Sequence, residues 1–349
     1  MNNLDFKINE NETIRKTLVK LNNNPSRCLI VVKNNNNIVG TVTNGDIRRF
    51  LIKKPDTSKK IKYVCNKKFY FLKKDKAKRE IKNILFRKKL SLIPIIKNKQ
   101  IINCYFISDY IYKKNNVESF LYKNMDAVIM AGGLGTRLSP FSDILPKPLI
   151  PFKGKAVLDH IIEKFLETGI EKIFLTLNYK KNIIKSYLKD NYKDKNIFQF
   201  IEEKKRLGTA SSLQLLKNRT KKNLVVINCD TILNINYQDL VKYHSEEKND
   251  LTLVAAIKDF KIPYGICTVT KNNLLKKISE KPSINILANS GTYLINNRLL
   301  NFIPKKLHYD MNEYLENLMQ KKFKIGIYPI EDKDWIDTGD WENLKKNSF

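Results

Sequence analysis

The stretch AVIMAGGLGTRLSPFSDILPKPLIPF, residues 127–152, decides the fold of this chain. Its first residues, Ala127 to Met130, form an apolar run that predicts a buried strand. The glycines that follow lack a Cβ, so the backbone can turn sharply there and approach a ligand closely. Successive exposed N–H groups in such a turn form a concave site for anions. We therefore predict a polyphosphate-binding loop directly after this strand.

Two cations accompany the glycine-rich loop. The guanidinium of Arg137 is a planar fork that matches phosphate oxygens. Lys147 stands between Pro146 and Pro148, which restrict the backbone that carries its ammonium. The stretch is not a Walker A motif, because no Gly-Lys-Ser/Thr follows, and it lacks the third glycine of a dinucleotide fingerprint. The alternative is an ordinary strand–helix turn that binds nothing.

Composition limits the class of protein. A chain of 349 residues is long enough for two or more domains. Its apolar runs have about the length of a strand, well below the roughly 18 residues of a membrane helix. The N-terminus lacks the basic start and apolar core of a secretory signal. The five cysteines are widely spaced without a C-x-x-C pair, as is typical of reduced thiols. We therefore expect a cytoplasmic protein with no membrane partner.

The net charge of +30 raises nucleic-acid binding as an alternative. Residues 1–125 hold 29 basic and 9 acidic residues, against 36 and 26 in the remainder. The excess is spread as lysine among asparagine and isoleucine, and no recognisable nucleic-acid module accompanies it. We therefore predict no nucleic-acid partner, and only a general attraction for anionic ligands.

The first third of the chain has the pattern of a duplicated unit, with copies at residues 1–57 and 58–118. Asp46 and Asp109 take matching places, each as the expected N-cap of a helix. Each copy is too small for a good core of its own, so we expect the two to pack as one α+β module, followed by a linker at 119–125. The predicted elements are Thr13–Leu21, Cys28–Val32, Ile38–Thr43 and Ile47–Ile52 in the first copy, and Ala77–Lys88, Leu92–Ile96 and Ile101–Ile107 in the second.

From residue 126 to 349 the pattern alternates between strand and helix, which predicts an α/β domain with a mostly parallel sheet. The ligand site should lie at the carboxyl ends of the strands, where the glycine-rich loop and Asp230 both stand. The predicted helices are Ala156–Glu167, ended by Gly169, and Asn182–Tyr192, and the strands after the first are Lys172–Leu177, Ile197–Ile201, Leu224–Asn228 and Lys324–Ile330.

Two carboxylates are candidate metal ligands. Asp230 follows a buried strand, and a strand-end carboxylate beside a phosphate loop is a usual way to hold Mg2+. Asp337, in the segment WIDTG, follows another predicted strand and could complete a two-carboxylate site. The alternative for Asp230 is the N-cap of a helix at 236–247, but Asn234 and Asn236 are better placed to cap it.

Further motifs carry groups suited to a nucleotide or a sugar. Lys281, between Glu280 and Pro282, is a third cation in a rigid setting. The segment LGTA, residues 207–210, opens a helix whose free N–H groups could face a base or a phosphate. Any one of these segments could be a plain turn, and their occurrence in this order is the argument for a site. Backbone polarity suited to sugar hydroxyls is expected at Tyr264-Gly265 and Asn289-Ser290-Gly291.

The N-terminal repeat resembles a tandem CBS-domain pair, through the sequence IVGTVTNGDIR at residues 38–48. The resemblance implies that Thr43 and Asp46 hold the phosphate and ribose of an adenine nucleotide. The second copy departs from the pattern, because Asn103 replaces the glycine and Phe106 the threonine, so one competent site is expected. The alternative is a module that only joins subunits, with Asp46 a plain helix cap. A CBS pair also implies a homo-oligomer.

Residues 126–349 resemble the sugar-1-phosphate nucleotidyltransferase family, whose catalytic domain has a Rossmann-like fold. The family moves a nucleotidyl group from a nucleoside triphosphate (NTP) to a sugar 1-phosphate and releases pyrophosphate. The motifs that carry the resemblance are GGLGTRL at 132–138, PKP at 146–148, LGTA at 207–210, CD at 229–230, EKP at 280–282, NSGTY at 289–293 and WIDTG at 335–339.

The resemblance implies a role for each matching residue. Arg137 binds the triphosphate and the leaving pyrophosphate, Lys147 and Lys281 bind reacting phosphates, and Asp230 and Asp337 bind Mg2+. The catalytic residues are thus Arg137, Lys147 and Asp230. The implied nucleotide contacts are Ala131, Gly132, Gly133, Gly135, Thr136, Leu207, Gly208 and Thr209, and the implied sugar contacts are Tyr264, Gly265, Glu280, Lys281, Asn289 and Gly291.

The chemistry of the implied reaction requires no general base, because a sugar phosphate with a second pKa of about 6 is already largely dianionic. We accordingly interpret His160, His244 and His308 as structural or surface residues. A CBS pair before this domain resembles the guanylyltransferases that make GDP-sugars, especially those acting on glucosamine 1-phosphate in legionaminic acid biosynthesis. Ser211-Ser212 and Ser290 depart from the commoner motifs, so UTP or dTTP stays an alternative to GTP. A non-catalytic nucleotide sensor is the alternative from another class.

Overall fold

The computed structural model describes residues 6–22, 24, 28–88, 90–106, 125–194, 196–203, 205, 207–220, 222–304 and 308–348. The chain divides into two compact units, Met1–Asn115 and Asn116–Phe349. Residues 119–124 of the expected linker and the expected cap at Asp109 lie outside the described residues. The boundaries of the two copies and of the linker therefore stay predictions.

The first unit contains two small sheets and three described helices. β1 pairs in parallel with β2, which pairs antiparallel with β3, while β4 and β5 form a separate hairpin. The strand β2 is buried along its whole length, as its apolar sequence requires. The element bounds are β1 Lys7–Asn9, β2 Cys28–Val32, β3 Ile38–Thr43, β4 Leu92–Lys97 and β5 Gln100–Phe106, with helices Ile14–Asn22, Asn44–Lys53 and Lys78–Arg87.

The prediction that Asp46 caps a helix from Ile47 was wrong in position. The helix begins three residues earlier, at Asn44, and its N-cap is Thr43. The Thr43 hydroxyl accepts from the Asp46 backbone N–H at 3.2 Å, and the Asp46 carboxylate accepts from the Thr43 backbone N–H at 2.9 Å. This reciprocal arrangement is a capping box, which satisfies donors that the first helical turn leaves open. Thr43 and Asp46 are thus bonded to each other.

The second unit is built on a seven-stranded sheet with the order β10-β9-β6-β11-β16-β13-β17. Six of these strands run in the same direction, and β16 alone runs antiparallel to both of its neighbours. The expected mostly parallel α/β sheet is thereby confirmed. The strand bounds are β6 Met125–Ala131, β7 Pro151–Phe152, β8 Lys155–Ala156, β9 Ile173–Leu177, β10 Phe198–Glu202, β11 Asn223–Asn228, β12 Thr231–Leu233, β13 Leu251–Lys261, β14 Ile266–Val269, β15 Leu275–Ser279, β16 Ser283–Ile295, β17 Ile325–Glu331 and β18 Trp335–Asp337.

Helices cover both faces of this sheet, so the strands β6, β9 and β11 are mostly apolar and two hydrophobic clusters form. The expected stop at Gly169 is confirmed, since this residue has φ 79° and ends its helix. Asn236 is the N-cap of the helix Tyr237–Glu246, as expected, and its side chain accepts from the Asp239 backbone N–H. The helices are Phe141–Ile144, Val157–Thr168, Lys181–Asn191, Thr209–Gln214, Tyr237–Glu246, Met311–Gln320 and Trp341–Ser348.

Among the elements that the sequence analysis missed are the long strands β13 and β16, the hairpin β14–β15, and the helices Met311–Gln320 and Trp341–Ser348. Asn289-Ser290-Gly291, for which a plain turn was the alternative to a ligand site, lies inside β16. The segment at residues 262–265 joins β13 to β14, and the segment at 280–282 joins β15 to β16. None of the helices among the described residues is long and apolar enough to cross a membrane.

Candidate functional site

The carboxyl ends of β6 and β11 form the edge of the sheet where the site lies. The two strands are parallel neighbours, with Met130 opposite Asn228. The glycine-rich loop follows β6 and Asp230 follows β11, so the register places these segments side by side. The prediction that both stand at one edge of the sheet is met by this pairing.

Two of the three glycines in the loop, Gly132 and Gly135, lie too close to neighbouring side chains for a larger residue. A Cβ on Gly132 would stand 2.9 Å from Oε1 of Glu203. Gly135 has φ 72°, a left-handed conformation that glycine adopts without strain, and its Cβ would stand 3.1 Å from Cβ of Lys147. A short 3-10 helix, Thr136–Leu138, then begins and carries Arg137.

The ammonium of Lys147 forms an ion pair with Oδ2 of Asp230. Both side chains are nearly buried, with 11% and 13% of their surface exposed. Asp230 has no cation beside it in the sequence, and the cation that pairs with it is distant along the chain. Its partner comes from a segment 83 residues earlier, which the sheet brings to the same edge.

Asp337 reaches the site through a short antiparallel ladder in which β12 pairs with β18 and Thr231 lies opposite Asp337. The Thr338 backbone N–H and hydroxyl both donate to the carbonyl oxygen of Asp230 at 2.9 Å. A Cβ on Gly339 would stand 2.8 Å from Oδ2 of Asp230 and 2.8 Å from Oδ1 of Asp337. The two carboxylates therefore converge on one point.

The two carboxylates of Asp230 and Asp337 make the space between them favourable for a cation. Burial raises the pKa of Asp337, and repulsion from Asp230 adds to the rise, while the Gly339 N–H opposes it. No cluster of three or more potential protein ligands exists among the described residues. Asp230 and Asp337 could nevertheless hold a divalent ion, because Mg2+ binds one or two carboxylates and takes its other ligands from water and phosphates.

Two cavities open at this edge and share part of their lining. The first, about 300 Å3, we call the glycine-loop cavity; the second, about 370 Å3, we call the carboxylate cavity. The glycine-loop cavity is lined by Met130, Gly132, Gly133, Gly135, Lys147, Thr176, Glu203, Leu207, Gly208, Thr209, Ser212, Asn228, Cys229, Asp230, His308 and Asp310. The carboxylate cavity is lined by Arg137, Thr209, Asn228, Asp230, Thr231, Asn289, Ser290, Gly291, Tyr293, Asp310, Met311, Asn312, Trp335 and Asp337.

The predicted residues divide between these cavities in an unexpected way. Lys147 lines the glycine-loop cavity, whereas Arg137 lines the carboxylate cavity. Asp230 lines both, so the two cavities meet at this carboxylate. Two predicted nucleotide contacts, Thr136 and Ala131, line neither cavity: Thr136 begins the 3-10 helix, and Ala131 is the buried last residue of β6.

Four predicted sugar contacts stand apart from both linings. Gly265 and Glu280 lie beside each other, since a Cβ on Gly265 would stand 3.1 Å from Oε2 of Glu280. Tyr264 is 74% exposed, and Lys281 is exposed with φ 40°. The structure thus brings Asn289 and Gly291 to the carboxylate cavity but does not bring these four residues there.

The helix that opens at Thr209 does not offer free donors, contrary to expectation. The Thr209 N–H donates to Oδ1 of Asp310 at 3.2 Å, and the next two backbone N–H groups donate to the carbonyl oxygen of Tyr309. Gly208 has φ 81°, and its Cβ would stand 2.8 Å from that same carbonyl oxygen. The glycine is required here by a close approach within the protein.

A β-bulge shapes the wall of the carboxylate cavity. Val254 pairs with Thr292 and Ala255 pairs with Asn289, which leaves Ser290 and Gly291 as extra residues in β16. The Asn289 side chain accepts from the Gly291 N–H at 2.8 Å and donates to the Tyr293 hydroxyl at 2.8 Å. The bulge therefore fixes the amide of Asn289 at the cavity.

Sequence reasoning missed Glu203, which lies at the floor of the glycine-loop cavity and is only 8% exposed. Burial raises the pKa of its carboxyl group, although the Leu207 N–H and the Thr176 hydroxyl oppose the rise. Glu203 directly follows β10, so the rule about carboxyl ends of strands could have found it. His308, interpreted as a surface residue, also lines this cavity.

The glycine-rich loop, the two converging carboxylates and the two joined cavities all lie at the carboxyl ends of the strands, which is where α/β domains bind their ligands. The chain belongs to the nucleotidyl transferase family, whose model matches residues 126–348. A CBS domain model matches residues 4–53. The resemblance that the motifs indicated is confirmed for the family and for the presence of a CBS domain.

Several known proteins are similar to this chain. The bifunctional protein GlmU of Methanococcus maripaludis is 32% identical over 232 residues, which are 64% of this chain and 54% of that protein. Mannose-1-phosphate guanyltransferase of Debaryomyces hansenii is 30% identical over 223 residues, 62% of this chain and 61% of that protein. The chain thus spans a little over half the length of these GlmU relatives. HddC from Yersinia pseudotuberculosis has a similar structure, with 26% identity, a TM-score of 0.51, and coverage of 64% of this chain and 97% of that one.

Proposed function

We propose that this protein transfers a nucleotidyl group from a nucleoside triphosphate to a sugar 1-phosphate and releases pyrophosphate. The observation that supports this best is the meeting of two cavities at Asp230. One cavity has the glycine-rich loop and Lys147, which suit a triphosphate, and the other has polar groups that suit a sugar phosphate. A reaction between two substrates needs such a junction.

In the proposed mechanism, a phosphate oxygen of the sugar 1-phosphate attacks the α-phosphorus of the NTP, and the bond to pyrophosphate breaks. Lys147 neutralises charge on the reacting phosphates, and Arg137 does so from the carboxylate cavity. A divalent ion, for which we propose Mg2+, would be held by Asp230 and Asp337 and would supply further positive charge. The attacking oxygen carries no proton to be removed, so no general base is assigned.

We propose GTP as the favoured nucleotide, on the basis of Glu203. Guanine presents two adjacent donors, N1–H and N2–H, and an ionised carboxylate accepts both. Uracil and thymine offer a single donor between two acceptors, which a carboxamide would match better. The similar protein HddC has also been solved in a complex with GMP-PN.

For the acceptor we propose a hexose 1-phosphate, with glucosamine 1-phosphate as the first candidate and a GDP-sugar for cell-surface glycans such as legionaminic acid as the product. Trp335 lines the carboxylate cavity and could contact a sugar ring. The Nζ atom of Lys258 lies over the Trp335 ring, 4.7 Å from its centroid. Asn289 and Tyr293 supply polar groups for hydroxyls. Tyr264, Gly265, Glu280 and Lys281 remain proposed sugar contacts that would require the β14–β15 hairpin to move.

A pyrophosphate-release assay across four NTPs and a panel of sugar 1-phosphates tests the proposal. GTP should be used best, and Asp230→Asn should remove most activity without unfolding the protein. Glu203→Gln should raise the ratio of kcat/KM for UTP over GTP by about tenfold or more, since a carboxamide presents a donor to guanine N1–H. Turnover only with UTP or dTTP would show that the proposal of GTP is wrong. No turnover with any pair of substrates would support a nucleotide sensor instead.

For the first unit we propose a scaffold role, with adenine nucleotide binding at Thr43 and Asp46 as the alternative. Thr43 and Asp46 satisfy each other, and Arg49 lies 2.6 Å from the Asp46 carboxylate, which supports a scaffold. Calorimetry with AMP and ATP decides between the two, and Asp46→Ala serves as its control. Sedimentation tests the proposed homo-oligomer.

A further inference from the structure

The segment at residues 139–145 links the two cations of the site, because Arg137 precedes it and Lys147 follows it. Its only helix, Phe141–Ile144, has four residues and could not persist in water by itself. Ser142 within this helix is buried and lies 3.4 Å from the position of a Cβ on Gly135. Contacts from elsewhere must therefore determine where this segment lies.

The first such contact comes from Trp341, at the start of the helix Trp341–Ser348. Its indole N–H donates to the carbonyl oxygen of Ser139 at 3.0 Å. Its ring packs edge-on against Phe141, with centroids 5.0 Å apart and planes at 64°. One side chain thus supplies both a directed hydrogen bond and an aromatic contact to the segment.

The same helix also contacts the carboxylate that closes the site. The Asn343 amide donates to Oδ2 of Asp337 at 3.4 Å and to Oδ2 of Asp340 at 3.0 Å. The helix is anchored by Leu344, which is 7% exposed. It therefore joins Asp337 on one side to the segment before Lys147 on the other.

A second set of contacts comes from the loop after β9. The Lys180 ammonium donates to the carbonyl oxygens of Asp143 and Ile144, and the latter distance is 2.8 Å. The Tyr179 hydroxyl donates to the carbonyl oxygen of Ser142 at 3.4 Å. These donors satisfy carbonyls that the short helix leaves open at its end.

We propose that Trp341 and Lys180 are positioning residues that hold residues 139–145 from two sides and thereby aim Arg137 and Lys147 at Asp230. Neither side chain lines the two cavities, so each acts through the segment. The kinetic part of this inference rests on the proposed function, whereas its structural part does not.

Hydrogen exchange tests the structural part without any turnover. In Trp341→Phe, which keeps the aromatic contact but loses the N–H donor, amides of residues 138–147 should exchange about three- to tenfold faster, as the loss of one hydrogen bond implies. Lys180→Met should have a similar effect, and Lys189→Met, an exposed lysine on the neighbouring helix, should have none. Unchanged exchange at 138–147 in both variants would overturn the proposal.

Kinetics test the positioning of Arg137. Trp341→Phe should lower kcat about tenfold and change KM for the NTP by less than about twofold, because a small misplacement affects the transition state most. In an Arg137→Lys background, Trp341→Phe should lower kcat by less than about a further twofold, because both substitutions act through the position of the same side chain. If the effects of the two substitutions on kcat were fully additive, Trp341 would have a purely structural role and the positioning of Arg137 would be rejected. Absence of turnover in the wild type would reject the proposed function, while exchange would still decide the positioning.

Discussion

Gly339 lies where the two candidate metal carboxylates meet Arg137. A Cβ at this residue would stand 2.8 Å from an oxygen of Asp230, 2.8 Å from an oxygen of Asp337 and 3.3 Å from Nη2 of Arg137. The φ of Gly339 lies outside the left-handed region, so alanine can adopt its backbone conformation. Gly339→Ala therefore perturbs the space between the carboxylates and leaves the backbone unstrained.

The size of the effect follows from these distances. A methyl carbon and an oxygen normally stay about 3.3 Å or more apart, so each carboxylate oxygen must retreat by about 0.5 Å. Mg2+ requires oxygens at about 2.0–2.1 Å in a strict octahedron, so we expect metal affinity to fall by about 10- to 100-fold. Calorimetry with Mg2+ and Mn2+ measures this directly, and metal titration of turnover measures its consequence.

The control for this variant is Gly133→Ala, in which the new Cβ meets nothing within 4 Å. We expect it to leave metal affinity unchanged, since Gly133 lies on the glycine-loop side. Unchanged metal affinity in Gly339→Ala, or an equal loss in Gly133→Ala, would refute the assignment of Asp230 and Asp337 as metal ligands.

Three further changes follow from the structure. Gly208→Ala should lower the free energy of unfolding by about 2–4 kcal/mol in denaturant titration, because alanine is strained at this φ and meets the Tyr309 carbonyl oxygen. Lys147→Met should lower kcat by about 100-fold or more and unfolding free energy by about 2–3 kcal/mol, because it leaves the Asp230 carboxylate unpaired; adding Asp230→Asn should restore stability but not turnover. Burial, and to a lesser extent repulsion from Glu331, raises the pKa of Asp334 to about 6. The folded state therefore binds this proton more tightly than the unfolded state, and the free energy of unfolding falls as pH rises from about 4 to about 6. Asp334→Asn should flatten thermal stability against pH and add about 1–2 kcal/mol at pH 8, an amount reduced for solvent exposure.

The parallel strands β6, β9 and β11 could be predicted from the sequence because burial on both faces makes them largely apolar. The strand Leu224–Asn228 was expected within one residue of its observed start. In contrast, β13 and β16 change from buried to exposed along their length, so no single period describes them. Their pairing also joins distant segments, which local sequence does not encode.

The candidate site could be predicted where a residue type has one chemical use beside a glycine-rich loop, as with Asp230. Glu203 and Trp341 were missed because their roles depend on what they face. A glutamate after a strand or a tryptophan at the start of a helix usually has no functional role, and only its tertiary contacts show when it has one. The prediction of free N–H donors at the start of the Thr209 helix was wrong for the same reason, since these N–H groups donate to residues about 100 positions later.

The β-bulge in β16 limits how this protein can change in length. Side chains alternate between the faces of a strand with a period of two, so two extra residues leave the alternation in phase on both sides. Loss of Ser290 alone would shift that phase and turn each of residues 283–289 to the opposite face. Asn289 would then leave the cavity, and its hydrogen bonds with the Gly291 N–H and the Tyr293 hydroxyl would be lost. Insertions and deletions at this point should therefore be tolerated only in pairs.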